Sequence, residues 1–146
     1  MTTVADDTTG EQLAESLLQG VGNEQMRAAT KLLGRHRDGY WLRHFLSEEE
    51  SQAGPFACTD RAGAQPSINW YGVATHLIGH TVGGALTHTP LVGSRSELTV
   101  LSIASSLADG TPIELREVLA PLDEGELRLV LRALQEAVYG EDAREH

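Results

Sequence analysis

Two histidines, His76 and His80, are the side chains whose type and spacing come closest to a chemical site. Residues four positions apart lie on one face of a helix, so both imidazoles can bind a single metal ion. Zinc-protease helices use the same spacing and place a glutamate general base directly after the first histidine, but Leu77 occupies that position here. The spacing therefore predicts a divalent-metal site without that protease mechanism.

A metal ion at His76 and His80 needs a third ligand. The histidine candidates are His44, on an earlier predicted helix, and His88, and the other candidates are Cys58, Asp60 and a glutamate of the last helices. His88 lies about 120° around the helix from His76, so it can join only if the helix breaks at residues 83–84. Helical bundles do build metal sites from facing helices. Since no further ligand stands at a diagnostic spacing, packed or surface histidines are the simpler interpretation.

Both histidines belong to a long uncharged stretch, because no charged residue occurs between Arg61 and Arg95. Apolar residues recur in this stretch with helical spacing. They predict one helix over about 67–88, capped by Ser67, with the other helices packed around it. The glycines at 83–84 leave two alternatives open, a continuous helix and a break at that point.

Small residues recur every four positions on this predicted helix, at Thr75, Gly79 and Gly83. Each glycine in a helix interior costs about 0.8–1 kcal/mol relative to alanine, so some contact is expected to offset that cost. A row of small side chains allows a second helix to approach closely. We therefore predict an interaction face here, for another helix of the chain or for a second copy in a homodimer.

Helix-capping patterns occur through the rest of the chain. They begin at Thr9, Asn23, Ser94, Thr111 and Asp123. They predict an all-α protein of about seven helices, with no strands. The single domain is expected to cover 9–140 and to include a long loop at 51–66. Residues 1–8 are expected to be disordered, and 141–146 to form a frayed tail.

The last predicted helix opens at Asp123, ends before Gly140 and carries large aliphatic residues at helical spacing. Those residues are Leu127, Val130, Leu131, Leu134 and Val138.

The charge is acidic overall, with a formal net charge of −10, which argues against nucleic-acid binding through a broad basic face. One group of basic residues stands out in this acidic sequence. It consists of Arg27, Lys31, Arg35, Arg37 and Arg43. We expect this group to contact the acidic C-terminal helices of the same chain. The alternatives are an acidic partner protein and a DNA-associated regulator, and the overall charge disfavours the second.

The prediction of the compartment follows from three features. A single cysteine, Cys58, cannot form an internal disulfide and indicates a reducing environment, and we expect its thiol to be inert. Residues 1–10 are polar and acidic, unlike a signal peptide. The uncharged stretch contains histidine, threonine and glycine, where a membrane span would be continuously apolar. We expect a cytoplasmic protein that does not enter a membrane.

Two parts of the chain resemble a group of small actinobacterial helical proteins. The first is the run at 96–115, with Leu122, Asp123 and 130–137, and the second is the run at 39–45. Ten arginines against one lysine fit the GC-rich genomes of actinobacteria. The resemblance implies a helical fold and that origin. No activity is assigned to the group, so it carries over no functional residue.

These observations favour a small non-enzymatic helical protein that acts through protein–protein contacts. The sequence contains no nucleophile elbow, phosphate loop or dinucleotide fingerprint. The alternative is a metal-dependent enzyme or small-ligand binder, with His76 and His80 in a pocket of the bundle closed by the 51–66 loop.

Overall fold

The computed structural model describes residues 8–47, 57–61, 65–82 and 91–140, and within this range it leaves out the side chains of 78–82. The described residues form seven α-helices, one 3-10 turn and one pair of two-residue strands. The all-α prediction is thus confirmed. The helices are α1 (Gly10–Ser16), α2 (Glu24–Arg35), α3 (Tyr40–Ser47), α4 (Trp70–Val82), α5 (Arg95–Asp109), α6 (Leu115–Leu119) and α7 (Glu124–Tyr139).

Helix α5 packs against α2, α4, α6 and α7. Helix α2 packs against α1, α3, α5 and α7. Its buried residues Leu32 and Leu33 lie in a core that also contains Trp41, Val100 and Leu101. Helix α4, which the sequence predicted as the central helix, packs against α5. The middle of the bundle is therefore formed by α2, an amphipathic helix with a basic end, and by α5, and the uncharged helix α4 lies beside α5.

Side-chain caps fix the start of four helices. Thr9, Ser94 and Asp123 each form a reciprocal capping box with the residue three positions later, as their sequence patterns predicted. The Asn23 side chain accepts a hydrogen bond from the backbone N–H of Met26 at the start of α2. These bonds satisfy helix N–H groups that have no partner within the helix.

Helix α6 begins later than its sequence pattern predicted. The cap expected at Thr111 does not form, because the Thr111 hydroxyl hydrogen-bonds to the Ser105 hydroxyl of α5 at 2.8 Å. The helix starts instead at Leu115, after Glu114, whose side chain makes no capping bond. The prediction of a helix from residue 112 was therefore wrong, because the Thr111 hydroxyl that was expected to cap it is hydrogen-bonded to the preceding helix.

The chain before α4 forms two short strands, β1 (Thr59–Asp60) and β2 (Ser67–Ile68), which pair antiparallel. This pair corrects two predictions, a chain without strands and a helix capped by Ser67. Helix α4 begins at Trp70. Its described part ends at Val82, so the question of a break at 83–84 lies outside the described residues.

Two glycines, Gly10 and Gly34, mark the place where α1 meets α2. A Cβ added at Gly34 would lie 2.7 Å from the Gly10 carbonyl oxygen and 2.7 Å from the Ala14 Cβ. Real Cβ atoms do not approach other atoms that closely, so the two helices can pack at this distance only if residue 34 has no side chain. The spacing of small residues in the sequence predicted a close helix contact on α4. Among the described helices, the clearest close contact lies between α1 and α2.

Candidate functional site

Three consecutive basic residues end α2 and enter the following 3-10 turn (His36–Asp38), and together they contact three glutamates. Arg35 donates two hydrogen bonds to Glu136, at 2.8 and 3.1 Å, in a bidentate ion pair. This contact confirms for Arg35 that the basic group meets the acidic C-terminal helices of its own chain. Glu136 is buried, and the pair ties α2 to the C-terminal half of α7.

The second pair, His36 with Glu126, is the most buried of the three. His36 Nε2 lies 2.8 Å from Glu126 Oε2, and His36 is only 1% exposed. Glu126 Oε1 also accepts the backbone N–H of Asp123, which completes the cap of α7. Burial opposes ionisation of Glu126, but hydrogen bonds from His36 and Asp123 outweigh it and hold the pKa of this carboxyl below its usual range. The carboxylate is therefore the favoured form at neutral pH.

The third residue, Arg37, reaches between the first turns of α5 and α7. Its Nη1 lies 3.3 Å from Glu97 Oε2, and its Nη2 lies 3.7 Å from Glu126 Oε2. Arg37 and Asp38 have positive φ angles of 49° and 53°, and this left-handed turn directs the chain from α2 into α3. The two capping-box glutamates thus share one guanidinium. Because each carboxylate is paired, the cluster holds α2, α5 and α7 together.

Helix α7 buries only one of the five large aliphatic residues that its sequence carries. Val130 is buried, but Leu127, Leu131, Leu134 and Val138 are exposed. The other buried residues of α7 are Glu126, Ala133, Glu136 and Ala137. Four of the five large aliphatic side chains therefore lie outside the core. The physical reason is that Glu126 and Glu136 must face α2 to pair with its basic end, and these pairs set the rotation of the helix.

The four exposed residues, called the α7 seam from here on, form a continuous row. They are Leu127, Leu131, Leu134 and Val138. Leu131 is 50% and Val138 is 69% exposed. Their successive spacings of four, three and four residues match the alternating core positions of a coiled coil, and the row lies about 100° around the helix from the buried face. Such a row is suited to receive another helix.

The predicted interaction face on α4 is only partly described. Thr75 is half-buried, and its hydroxyl donates to the Tyr71 carbonyl oxygen at 2.8 Å. Gly79 lies in α4, but its surroundings are outside the described side chains, and Gly83 lies outside the described residues. The α4 face therefore stays a prediction. The sequence shows the spacing of the α7 seam but did not predict its exposure, because spacing alone does not determine which side of a helix faces the core.

The histidines predicted as metal ligands lie on two elements. His76 is buried in α4, and His44 is half-buried in α3, where its ring stacks parallel to Tyr40 with centroids 6.3 Å apart. The side chain of His80 and the whole of His88 are outside the description. The described side chains contain no group of three histidines, cysteines or carboxylates placed to hold a metal ion. The metal site thus stays a prediction.

Cys58 lies just before β1 and is buried. Burial raises the pKa of its thiol to about 12, because the thiolate would lose its hydration. The thiol is therefore protonated at neutral pH and a poor nucleophile, in agreement with the expectation of an inert cysteine.

A groove of about 320 Å³ lies between α2 and the end of α7. Two of the charged residues that line it already have partners. Arg27 donates to the carbonyl oxygens of Leu18 and Val21 at 3.0 and 2.8 Å, and Glu136 pairs with Arg35. The groove therefore gives no specific support to the small-ligand alternative.

No described helix has the length and apolar character needed to cross a membrane. Comparison of the chain with protein-family models, with curated proteins and with solved structures finds no match in any of the three. The function therefore has to be argued from the surfaces and contacts of this chain.

Proposed function

We propose that this protein is a small non-enzymatic helical module that acts through protein–protein contacts, and that the α7 seam is its contact surface. The observation that carries the proposal is the row of four large aliphatic side chains left exposed on a helix whose other face is firmly held. An exposed row of this kind is a recognised mark of a binding site, whereas single exposed aliphatic residues are ordinary.

The energetics favour docking of a helix on this surface. Full burial of a leucine or valine side chain contributes roughly 1.5–3 kcal/mol. Because the seam residues are partly exposed in the single chain, their burial there contributes only part of that free energy. A partner helix that covers all four residues would gain the rest. The spacing of the seam residues also suits a partner helix, because side chains at the core positions of a coiled coil insert between the side chains of the facing helix.

The borders of the seam resemble those of an interface. On one side, Glu124 and Arg128 form an exposed ion pair at 2.6 Å. On the other side, the helix is fixed to α2 through Glu126 and Glu136. An apolar centre with a polar rim is the usual composition of protein contact surfaces. The fixed side supplies rigidity, so little conformational entropy is lost when a partner docks.

A catalytic role is less well supported, because three of the described buried carboxylates are engaged in pairs that hold helices together. The carboxylates of Glu97, Glu126 and Glu136 are each bound to a basic residue of the 35–37 segment. The cytoplasm is the proposed location, and a single buried cysteine is consistent with it.

The proposal can be tested by site-specific photo-crosslinking in cells that produce the full chain. A photoreactive residue at Leu131 is expected to give a discrete crosslinked protein adduct. The same residue at Glu15, which is exposed on α1, is the control and is expected to give none. A seam position that yields no adduct, or the same adducts as Glu15, would contradict the proposal.

A further inference from the structure

We infer that the partner of the α7 seam is the α7 seam of a second copy, docked antiparallel about a two-fold axis. This inference rests on the proposed function, because it names the occupant of the same surface.

The order of the spacings makes the seam self-complementary. Intervals of four, three and four residues read the same from either end of the helix. A two-fold axis that passes between Arg132 and Ala133 therefore brings Leu131 opposite Leu134 of the second copy. The same axis brings Leu127 opposite Val138 of the second copy. All four residues then find an aliphatic counterpart, which is the condition for an isologous interface.

The helix dipole favours the antiparallel arrangement over the parallel one. Two adjacent helices that run in opposite directions bring the positive end of one dipole near the negative end of the other. In this register Arg128 of one copy flanks Gln135 of the other, so the rim places no like charges opposite each other at these positions.

The size of the seam sets the expected strength of association. Helix α7 has 16 residues and is thus about 24 Å long, and a helix presents a strip about 10 Å wide. This strip is smaller than the ~800 Å² per partner of a standard stable interface. We therefore expect a reversible dimer that dissociates on dilution.

The first experiment measures the mass of the full chain in solution by sedimentation equilibrium over a concentration series. The wild-type mass is expected to rise from 15.7 kDa towards twice that value. Leu131→Glu is expected to weaken association at least about tenfold, since it places a carboxylate in the seam. Leu115→Glu makes the same substitution at an exposed leucine of α6, outside the seam, and is the matched control. If Leu131→Glu lacks the helical circular dichroism of the wild type, Leu134→Glu replaces it.

The second experiment tests the direction of docking with two single variants, Leu131→Cys and Leu134→Cys. An antiparallel pair is expected to form a disulfide dimer only when the two variants are mixed and oxidised. A parallel pair would crosslink each variant with itself and would overturn the inferred arrangement. Wild-type protein under the same oxidant controls for Cys58.

The two proposals fail in different ways. A wild-type chain that stays monomeric at the highest concentration overturns self-association. If photo-crosslinking at Leu131 still captures another protein, the contact surface stands and its occupant is a different chain. If no adduct forms either, both proposals are overturned.

Discussion

His36 Nε2 lies 2.8 Å from Glu126 Oε2, and this buried pair joins the end of α2 to the first turn of α7. Glu126 has two structural roles at once, because it also closes the capping box of α7 with Asp123. The other ring nitrogen of His36, Nδ1, is buried and makes no hydrogen bond within the described part of the chain. His36 therefore depends on Glu126 for its described polar contact.

Removal of the Glu126 carboxylate should be strongly destabilising. Glu126→Ala leaves the buried His36 without its partner and removes a helix cap, so we expect a loss of about 3–5 kcal/mol in the free energy of unfolding. Urea denaturation followed by circular dichroism measures it. Glu124→Ala, at an exposed position two residues earlier, is the control and should change stability by less than about 1 kcal/mol. Equal effects of the two substitutions would contradict the role assigned to Glu126.

The same carboxylate should make stability depend on acid pH. The pKa of Glu126 is lower in the folded chain than in the unfolded chain, so its stabilising contribution is complete above the unfolded value of about 4.3. That contribution is lost as the pH falls through the lower folded value. We expect the difference in stability between wild type and Glu126→Gln to be constant near neutrality and to shrink below about pH 4. Urea titrations between pH 7 and pH 3 measure it, and a constant difference throughout would argue against the assignment.

The glycine contact between α1 and α2 should not tolerate a methyl group. In Gly34→Ala the new Cβ would lie 2.7 Å from the Gly10 carbonyl oxygen, so the helices must separate, and we expect a loss of about 1–3 kcal/mol. Gly22→Ala is the control, because a Cβ at Gly22 meets nothing within 4 Å. Thermal unfolding of both variants tests the contact, and a Gly34→Ala variant as stable as the Gly22→Ala variant would disprove it.

The thiol of Cys58 should be unreactive in the folded protein. With a pKa of about 12, only about one thiol in ten thousand is ionised at pH 8, and the side chain is also buried. We expect Ellman's reagent to label Cys58 slowly in buffer and rapidly in denaturant. Rapid labelling of the native chain would show that this segment opens readily. Absorbance at the released thiolate gives both rates.

Local signals in the sequence predicted local structure well. The capping boxes at Thr9, Ser94 and Asp123 depend on residues three positions apart, so a short window contains all the information they need. Thr111 shows the limit of that method. Its hydroxyl is in hydrogen-bond contact with Ser105 of the preceding helix, and no helix-start pattern encodes such a contact.

Helical periodicity did not predict the rotation of α7, because that rotation also depends on contacts between residues far apart in the sequence. Its aliphatic row gives a clear apolar face, but the pairs of Glu126 with His36 and of Glu136 with Arg35 turn a neighbouring face inward. The sequence did predict that the basic group would meet acidic helices of its own chain. It did not show that these ion pairs would decide which side of α7 is buried, because the partners are 90 and 101 residues apart.

The division of α7 into a face fixed by ion pairs and an open aliphatic seam bears on how this protein can evolve. Substitutions among the four seam residues change little that the isolated fold depends on, so selection for folding constrains them weakly. Partner choice can then diverge between related chains while the bundle stays the same. Within one helix, Glu126 and Glu136 would then be substituted slowly and the seam residues rapidly.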